Sequence, residues 1–212
     1  MIVTDFILIR HGQTKENIEG RLQGHFDGSL DETGIRQAHA VAARLAGERA
    51  AVLYSSDLKR AYKTAEIIAR NLQLPVRALR ELREWHLGEL ENRPCRELWR
   101  EYPEIMDCFL HDSDDVAVPG GESFSKFNQR IADCLESLTE KHAGERIILV
   151  AHGGVMRAVF RYIVGRTGCN LLPLLSNASY SRFCKRDARW QLCTWNDVSH
   201  LQSIGVRESV TF

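Results

Sequence analysis

The stretch Leu8-Ile9-Arg10-His11-Gly12-Gln13-Thr14-Lys15-Glu16-Asn17 leaves an apolar run and opens into a polar loop. The apolar run, Phe6–Ile9, predicts a buried strand. We therefore expect Arg10 and His11 at the carboxyl end of that strand, facing out of the sheet edge. A guanidinium binds an anion through a planar fork of donors, and an imidazole beside it supplies a nucleophilic nitrogen. This pair suits attack on a phosphoryl group.

A second histidine also follows a strand-like run. Arg146–Ala151 is the clearest buried strand of the chain, and His152-Gly153 comes directly after it. In open α/β sheets, ligands bind beyond the carboxyl ends of the strands. We therefore expect His11 and His152 to meet at one edge. The second imidazole would donate hydrogen bonds to an anion and, if protonated, add positive charge.

Strand-like and helix-like runs alternate along the chain. This alternation predicts an α/β fold with three layers, α/β/α, around a mostly parallel central sheet. The predicted strands are Phe6–Ile9, Ala51–Tyr54, Pro75–Leu79, Arg146–Ala151 and a hairpin of Ser179–Lys185 with Arg189–Trp195. The predicted helices are Thr33–Ala46 with Thr33 as N-cap, one capped by Ser56 or Asp57 that runs to about Leu72, Ser123–His142 ended by Gly144, and Val155–Val164 closed by Gly165.

The bulk composition restricts the class of protein. The chain has 212 residues, which predicts one domain over residues 1–212. Lys and Arg together number 28, as do Asp and Glu, so no overall field favours nucleic acid or an anionic membrane. No apolar run approaches the roughly 18 residues of a membrane span, and no signal peptide is evident. We therefore expect a cytoplasmic protein.

The cysteines give no sign of a disulfide framework or a metal site. None of the six lies in a Cys-x-x-Cys pair, and no Cys–His zinc spacing is present. We expect reduced thiols, as is usual in cytoplasmic proteins. The six are Cys95, Cys108, Cys134, Cys169, Cys184 and Cys193.

Two further segments carry groups suited to phosphate chemistry. Arg60 lies in the first turns of a predicted helix, whose N-terminus already favours an anion. A solvated basic face is the other interpretation of this segment, and we retain it for Lys59 and Lys63. Cleavage of a phosphate ester also needs a carboxyl that protonates the leaving oxygen. On chemistry alone the candidates remain open: Glu81, Glu84, Glu89 and Glu91.

These motifs together resemble the histidine phosphatase superfamily, the phosphoglycerate-mutase-like enzymes. The resemblance rests on Arg10-His11-Gly12 with Thr14 and Asn17 in register, on Ser-Asp-x-x-Arg-Ala-x-x-Thr-Ala around Arg60, and on His152-Gly153. A fourth motif surrounds Glu84, and the likeness spans residues 5 to about 201. It implies a phosphoglycerate-mutase-like fold.

The resemblance also implies roles for individual residues. His11 would attack phosphorus and form a phosphohistidine, while Arg10, Arg60 and His152 would bind the non-bridging oxygens. Glu84 would be the general acid. The resemblance places further groups around the phosphate or next to it: Asn17, Gln23, Gly24 and Gly153. We expect no metal and no cofactor, and a small-molecule phosphate ester as the partner.

The same site could transfer phosphate to water or to a second hydroxyl. Mutases of the family carry a longer insertion after the general acid, whereas 34 residues separate Glu84 from the turn at Pro119. The segment 85–125, which we expect to be a lid-like insertion, holds three arginines and ten acidic residues. It would repel polyanions if it faces the pocket.

We therefore predict a metal-independent phosphomonoesterase. The alternatives are a phosphoglycerate mutase dependent on 2,3-bisphosphoglycerate, an α-ribazole-phosphate phosphatase and, remotely, a non-catalytic phosphate-binding protein. The sequence does not define the oligomeric state, a homodimer being one option.

Overall fold

The computed structural model describes residues 2–108, 115–165 and 173–205. Its strands are β1 (Val3–Arg10), β2 (Arg21–Leu22), β3 (Val52–Ser55), β4 (Val76–Ala78), β5 (Arg93–Pro94), β6 (Arg146–Ala151), β7 (Tyr180–Arg186) and β8 (Arg189–Asp197). Its helices are α1 (Lys15–Ile18), α2 (Glu32–Arg44), α3 (Lys59–Leu72), α4 (Cys95–Glu101), α5 (Pro103–Cys108), α6 (Phe124–Lys141) and α7 (Gly153–Val164). Three short 3-10 turns cover Arg80–Leu82, Gly88–Leu90 and Ser199–Ile204.

The central sheet has the strand order β4-β3-β6-β1-β7-β8. Strand β1 runs parallel to β6, and β3 runs parallel to both β6 and β4. The hairpin β7–β8 joins β1 in the antiparallel sense. The mostly parallel α/β sheet predicted from the sequence is therefore confirmed, with the predicted hairpin at its antiparallel edge.

Alternate residues of the central strands form two cores, one on each face of the sheet. Phe6 and Leu8 pack with α6 and α7 in one core, while Ile7 and Ile9 pack with α2 and α3 in the other. Side chains of a strand point alternately to its two faces, so an apolar run without polar interruption fits a strand covered on both sides. The three-layer arrangement follows from this pattern.

Two predicted helix caps are wrong. Helix α2 begins at Glu32, and its N-cap is Asp31, whose Oδ1 accepts the Gly34 N–H at 2.7 Å. Thr33 lies inside the first turn, where its hydroxyl accepts a hydrogen bond from Arg36. An N-cap side chain must precede the helix to reach the free N–H groups, and Asp31 does so.

Helix α3 is capped from outside its own segment. Its N-cap residue, Leu58, makes no side-chain cap, and the Lys59 N–H donates to Asp27 Oδ1 at 2.7 Å. Asp57 instead binds Arg83 through both carboxylate oxygens, each at 2.6 Å. The Ser56 hydroxyl instead lies against the imidazole of His152.

Strand β1 begins at Val3, three residues before the predicted Phe6. The other element boundaries agree with the predictions within two residues. Strand β6 has the predicted limits, and α6 begins at Phe124, one residue after the predicted start, with the Ser123 hydroxyl as its N-cap. Helix α7 begins at Gly153, two residues earlier than predicted, and ends at Val164 with Gly165 as its C-cap.

Two bulk features complete the description. None of the helices in the described ranges is long and apolar enough to cross a membrane. Cys169 and the side chain of Cys108 lie outside the described residues. The remaining cysteines are free thiols: Cys95, Cys134, Cys184 and Cys193.

Candidate active site

The parallel pairing of β1 with β6 brings the two histidines together. Arg10 lies opposite Ala151 in the register, so the next residue of each strand, His11 and His152, leaves the sheet at the same edge. Their ring centroids are 5.2 Å apart, and both side chains are buried. His11 lines the pocket that forms beyond the strand ends, whereas His152 is fully buried next to Gly153, which lines it.

His11 is held as a neutral imidazole with a defined tautomer. Its Nδ1 is 2.7 Å from the carbonyl oxygen of Gly12. A carbonyl oxygen only accepts, so Nδ1 carries the hydrogen and Nε2 carries the lone pair. Burial lowers the pKa of His11 well below its ordinary value, and the charges of Arg60 and Arg10 lower it further. Nε2 is therefore available as a nucleophile at neutral pH.

The loop after His11 is fixed by close backbone packing. A Cβ on Gly12 would lie 2.4 Å from the carbonyl oxygen of Gly34, so no larger residue fits. The carbonyl of His11 itself accepts from Asn177 Nδ2 and from the Ala178 N–H, each at 3.1 Å. The packing of Gly12 and the hydrogen bonds to the His11 carbonyl together fix the backbone that carries the imidazole.

Two buried arginines flank His11, each oriented by backbone carbonyls. Arg10 donates from Nη1 to the Leu175 carbonyl. Arg60 donates to the carbonyls of Phe26 at 2.7 Å and Gly24 at 2.8 Å. Burial lowers the pKa of each guanidinium to about 10, opposed chiefly by the negative charge of Glu84. Both remain cations at neutral pH, and the Nε of each is buried without a hydrogen-bond partner in the part of the chain that the structure describes.

His152 contacts the residue expected to cap α3. Its Nε2 lies 2.8 Å from Ser56 Oγ, and its Nδ1 is buried with no hydrogen-bond partner among the described ranges. Burial and the charges of Arg60, His11 and Arg10 lower the pKa of His152 well below its ordinary value. The structure thus favours a neutral imidazole that acts as a hydrogen-bond donor, rather than a second imidazolium.

The structure separates the four candidate carboxylates. Glu84 lines the pocket, and its two oxygens accept the Trp85 N–H at 2.8 Å and the Gly154 N–H at 2.9 Å. Glu91 instead accepts the N–H groups of His25 and Leu87, at 2.8 and 3.1 Å. Two others are exposed and do not line the pocket: Glu81 and Glu89.

All the other sequence-predicted residues line the same pocket: Asn17, Gln23, Gly24 and Gly153. Asn17 accepts the Thr14 N–H through Oδ1 at 3.2 Å and thereby closes the capping box of α1. Gly24 adopts a positive φ of 52°, and a Cβ there would lie 2.6 Å from Glu91 Oε1. The loop before α2 therefore contacts the loop after Glu84 directly.

The sequence interpretation missed several pocket residues. Arg157 is the most notable, because it follows Gly153 by one helical turn and shares its face of α7. That spacing was a usable signal. Three others adjoin predicted site residues in the sequence: Arg21, Leu22 and Gly154. Leu87 and Leu175 gave no signal, since their place depends on long-range packing.

The lowered histidine pKa values predict a pH-dependent stability. Below pH 6.5 the unfolded chain binds a proton at each of His11 and His152, whereas the folded protein does not. Stability is therefore lost as pH falls, by about 2 kcal/mol in total between pH 6.5 and 5.5 from these two groups. Urea unfolding at several pH values measures this slope. His152→Gln should reduce the slope, and an unchanged slope in that variant would contradict the assignment.

Among residues 2–108, 115–165 and 173–205, no group of three or more His, Cys, Asp or Glu side chains could hold a metal ion.

The sequence and fold both match known proteins along most of the chain. Residues 6–198 match the model of the histidine phosphatase superfamily (branch 1). The chain is 42% identical to the metal-independent phosphoserine phosphatase of Arabidopsis thaliana over 206 residues, 96% of this chain and 85% of the relative. It is 39% identical to the phosphoglycerate mutase-like protein 4 of the same plant over 209 residues, 97% of this chain and 90% of the relative.

A solved structure confirms the fold. The mycobacterial glucosyl-3-phosphoglycerate phosphatase superposes with a TM-score of 0.81 at 31% identity, over 91% of this chain and 98% of that one. The phosphoglycerate-mutase-like fold expected from the four motifs is therefore correct, and phosphatases stand among the proteins most similar to this chain. Because the family model matches residues 6–198 and the relatives match in both sequence and fold, the chain belongs to the histidine phosphatase superfamily.

Proposed function

We propose that the protein hydrolyses a small phosphomonoester through a phosphohistidine formed at Nε2 of His11. The observation that carries this proposal is the neutral imidazole of His11, which is fixed by Gly12 and lies between two buried arginines. A nucleophile needs its lone pair, and the attacked phosphate needs positive charge around it. The site supplies the lone pair of His11 and the positive charge of the two arginines, and His11 need not first lose a proton.

In the first step, Nε2 of His11 attacks phosphorus and the ester P–O bond breaks. Arg10, Arg60 and His152 donate hydrogen bonds to the three non-bridging oxygens and stabilise their charge through the transfer. Glu84, protonated for this step, gives its proton to the leaving oxygen. The free alcohol departs and the phosphate stays on His11.

In the second step, the Glu84 carboxylate takes a proton from a water molecule. The water oxygen attacks phosphorus and the P–N bond breaks, which releases inorganic phosphate and restores both side chains. The hydrogen bonds from Trp85 and Gly154 keep the Glu84 carboxylate at the pocket wall between the two steps.

We propose water as the acceptor because the segment after Glu84 is short. Its two ends pack together beside the pocket: a Cβ on Gly88 would lie 2.2 Å from the carbonyl oxygen of Pro119. Leu87 lines the pocket wall, while residues 109–114 of the segment lie outside the described ranges. We infer that the segment 85–125 borders the pocket within a single domain over residues 1–212.

The test is a panel of phosphomonoesters assayed in excess chelator. We expect release of inorganic phosphate from p-nitrophenyl phosphate and phosphoserine, the latter chosen because an Arabidopsis relative is named a phosphoserine phosphatase. Interconversion of 3- and 2-phosphoglycerate is measured alongside, with and without 2,3-bisphosphoglycerate, and α-ribazole phosphate completes the panel. Dominant interconversion would replace hydrolysis by a mutase activity, and loss of turnover in chelator would exclude metal-free chemistry.

A further inference from the structure

Arg157 is a cation in the pocket that the proposed mechanism does not use. It lies on α7, one turn beyond Gly153, and lines the pocket together with Arg10 and Glu84. Its Nε and Nη1 are buried and have no hydrogen-bond partner among the described residues. Unmade hydrogen bonds on a buried charged group are costly, so they mark a place where a ligand completes the site.

The nearby Glu84 does not satisfy these donors. Both carboxylate oxygens of Glu84 accept backbone N–H groups, from Trp85 and from Gly154. The negative charge of Glu84 attracts the Arg157 guanidinium. The positive charge of Arg157 in turn acts on Arg10, which lies nearby. When Glu84 is protonated to serve the leaving group, Arg157 loses its neighbouring negative charge. An anion on the substrate would then balance it.

Other residues of the site already supply hydrogen-bond donors for the phosphate group of the substrate. The charges of Arg10 and Arg60 act on His11, and the His152 ring lies 5.2 Å from the His11 ring. These three donors match the three non-bridging oxygens. A further cation in the same pocket, beside those of Arg10 and Arg60, therefore fits a second anionic group on the substrate. We propose that Arg157 binds a carboxylate of the substrate and selects phosphomonoesters of small carboxylic acids.

A carboxylate fits this place better than a second phosphate. A guanidinium pairs with either anion. Arg21 also lines the pocket but is already paired with Glu19 at 2.8 Å, so Arg157 is left to balance one negative charge. Glu84, which lines the pocket together with Arg157, disfavours a substrate that carries a second dianion.

This inference rests on the proposed phosphatase function, and the test separates the two. O-Phosphoserine and O-phosphoethanolamine differ only by the carboxylate, so the ratio of their kcat/KM values isolates its contribution. We expect the wild-type protein to favour phosphoserine. Arg157→Gln should lower that ratio by about 10- to 100-fold, the effect of removing a charge-assisted hydrogen bond. Arg157→Lys should fall in between, since it keeps the charge and loses the planar fork.

Arg77→Gln is the matched control, because Arg77 is exposed on β4 and its loss changes the charge equally. It should leave the ratio at the wild-type value. The proposal is overturned if wild-type protein treats both esters alike, if Arg157→Gln slows both equally, or if fructose 1,6-bisphosphate is the better substrate and Arg157→Gln abolishes that preference.

Failure of the proposed function itself would appear as no turnover of either ester or of p-nitrophenyl phosphate. In that case the role of Arg157 is tested by calorimetry, which measures the affinity of the two esters for the His11→Ala protein with and without the Arg157→Gln substitution. Tighter binding of phosphoserine that depends on Arg157 supports the carboxylate site, whereas equal binding of the two esters overturns it.

Discussion

Replacing His11 by alanine is expected to abolish turnover of p-nitrophenyl phosphate, by about 10⁴-fold or more. The variant loses the atom that forms the covalent bond to phosphorus, and Nε2 of His152 cannot replace it because that nitrogen is engaged with Ser56 at 2.8 Å. Even a good leaving group requires the nucleophile, so activated esters should not rescue the variant. Steady-state release of p-nitrophenol measures the loss.

The matched control is His142→Ala. His142 is also buried, but it bonds Tyr54 and Glu145 and does not line the pocket. The His142→Ala variant should be less stable than the wild-type protein but should turn over p-nitrophenyl phosphate at the wild-type rate. Quenching in alkaline detergent, which preserves the acid-labile P–N bond, should trap label from labelled phosphoserine on the wild-type protein and none on His11→Ala. Retained turnover, or label found on His152, would place the nucleophile elsewhere.

The part of the fold that the sequence predicted best is the part that is buried on both sides. The limits of β6 agree with the prediction because a central parallel strand must be apolar throughout, which makes its ends visible in the sequence. The meeting of His11 and His152 follows from the same logic, since two neighbouring parallel strands end at one edge. No contact between distant side chains was needed to infer it.

The helix caps show where local reasoning fails. Asp57 was a reasonable cap for α3 by residue type, but the guanidinium of Arg83 holds its carboxylate, and this ion pair holds the pKa of Asp57 below its ordinary range. Asp27, thirty-two residues before Lys59, makes the bond instead. Which acidic residue caps the helix therefore depends on tertiary contacts, and a local sequence pattern contains no information about them.

The proposed general acid was ambiguous in the sequence for the same reason. Glu84 lies in a loop without periodicity, and α6 determines the path of that loop. Arg130 of α6 donates to the carbonyls of Glu81 at 2.7 Å, Arg83 at 3.0 Å and Glu84 at 3.2 Å. The Gly154 N–H then fixes the carboxylate, and a Cβ on Gly154 would lie 2.1 Å from Glu84 Oε1. Only the resemblance to the family singled out Glu84 beforehand.

Replacing Glu84 by glutamine is expected to lower kcat for phosphoserine by about 10³-fold, within the range reported for a general acid or base. The serine alkoxide is a poor leaving group, so it needs the proton that glutamine cannot give. p-Nitrophenolate leaves without a proton, so the first step of that ester should suffer far less. Pre-steady-state assays of p-nitrophenyl phosphate should therefore show a burst of p-nitrophenol, followed by slow release of phosphate, because the second step still lacks its base.

The burst distinguishes chemistry from a structural role of Glu84. A variant that merely disturbed the loop would bind both esters poorly and slow both steps together. Glu89→Gln is the control, because Glu89 is exposed, belongs to the same loop and loses the same charge without facing the pocket. It should match wild-type kinetics. Equal loss on both esters in Glu84→Gln, with no burst, would mean that Glu84 only positions the loop. The proton donor would then have to be sought outside the four carboxylates of this segment, since the other three do not line the pocket.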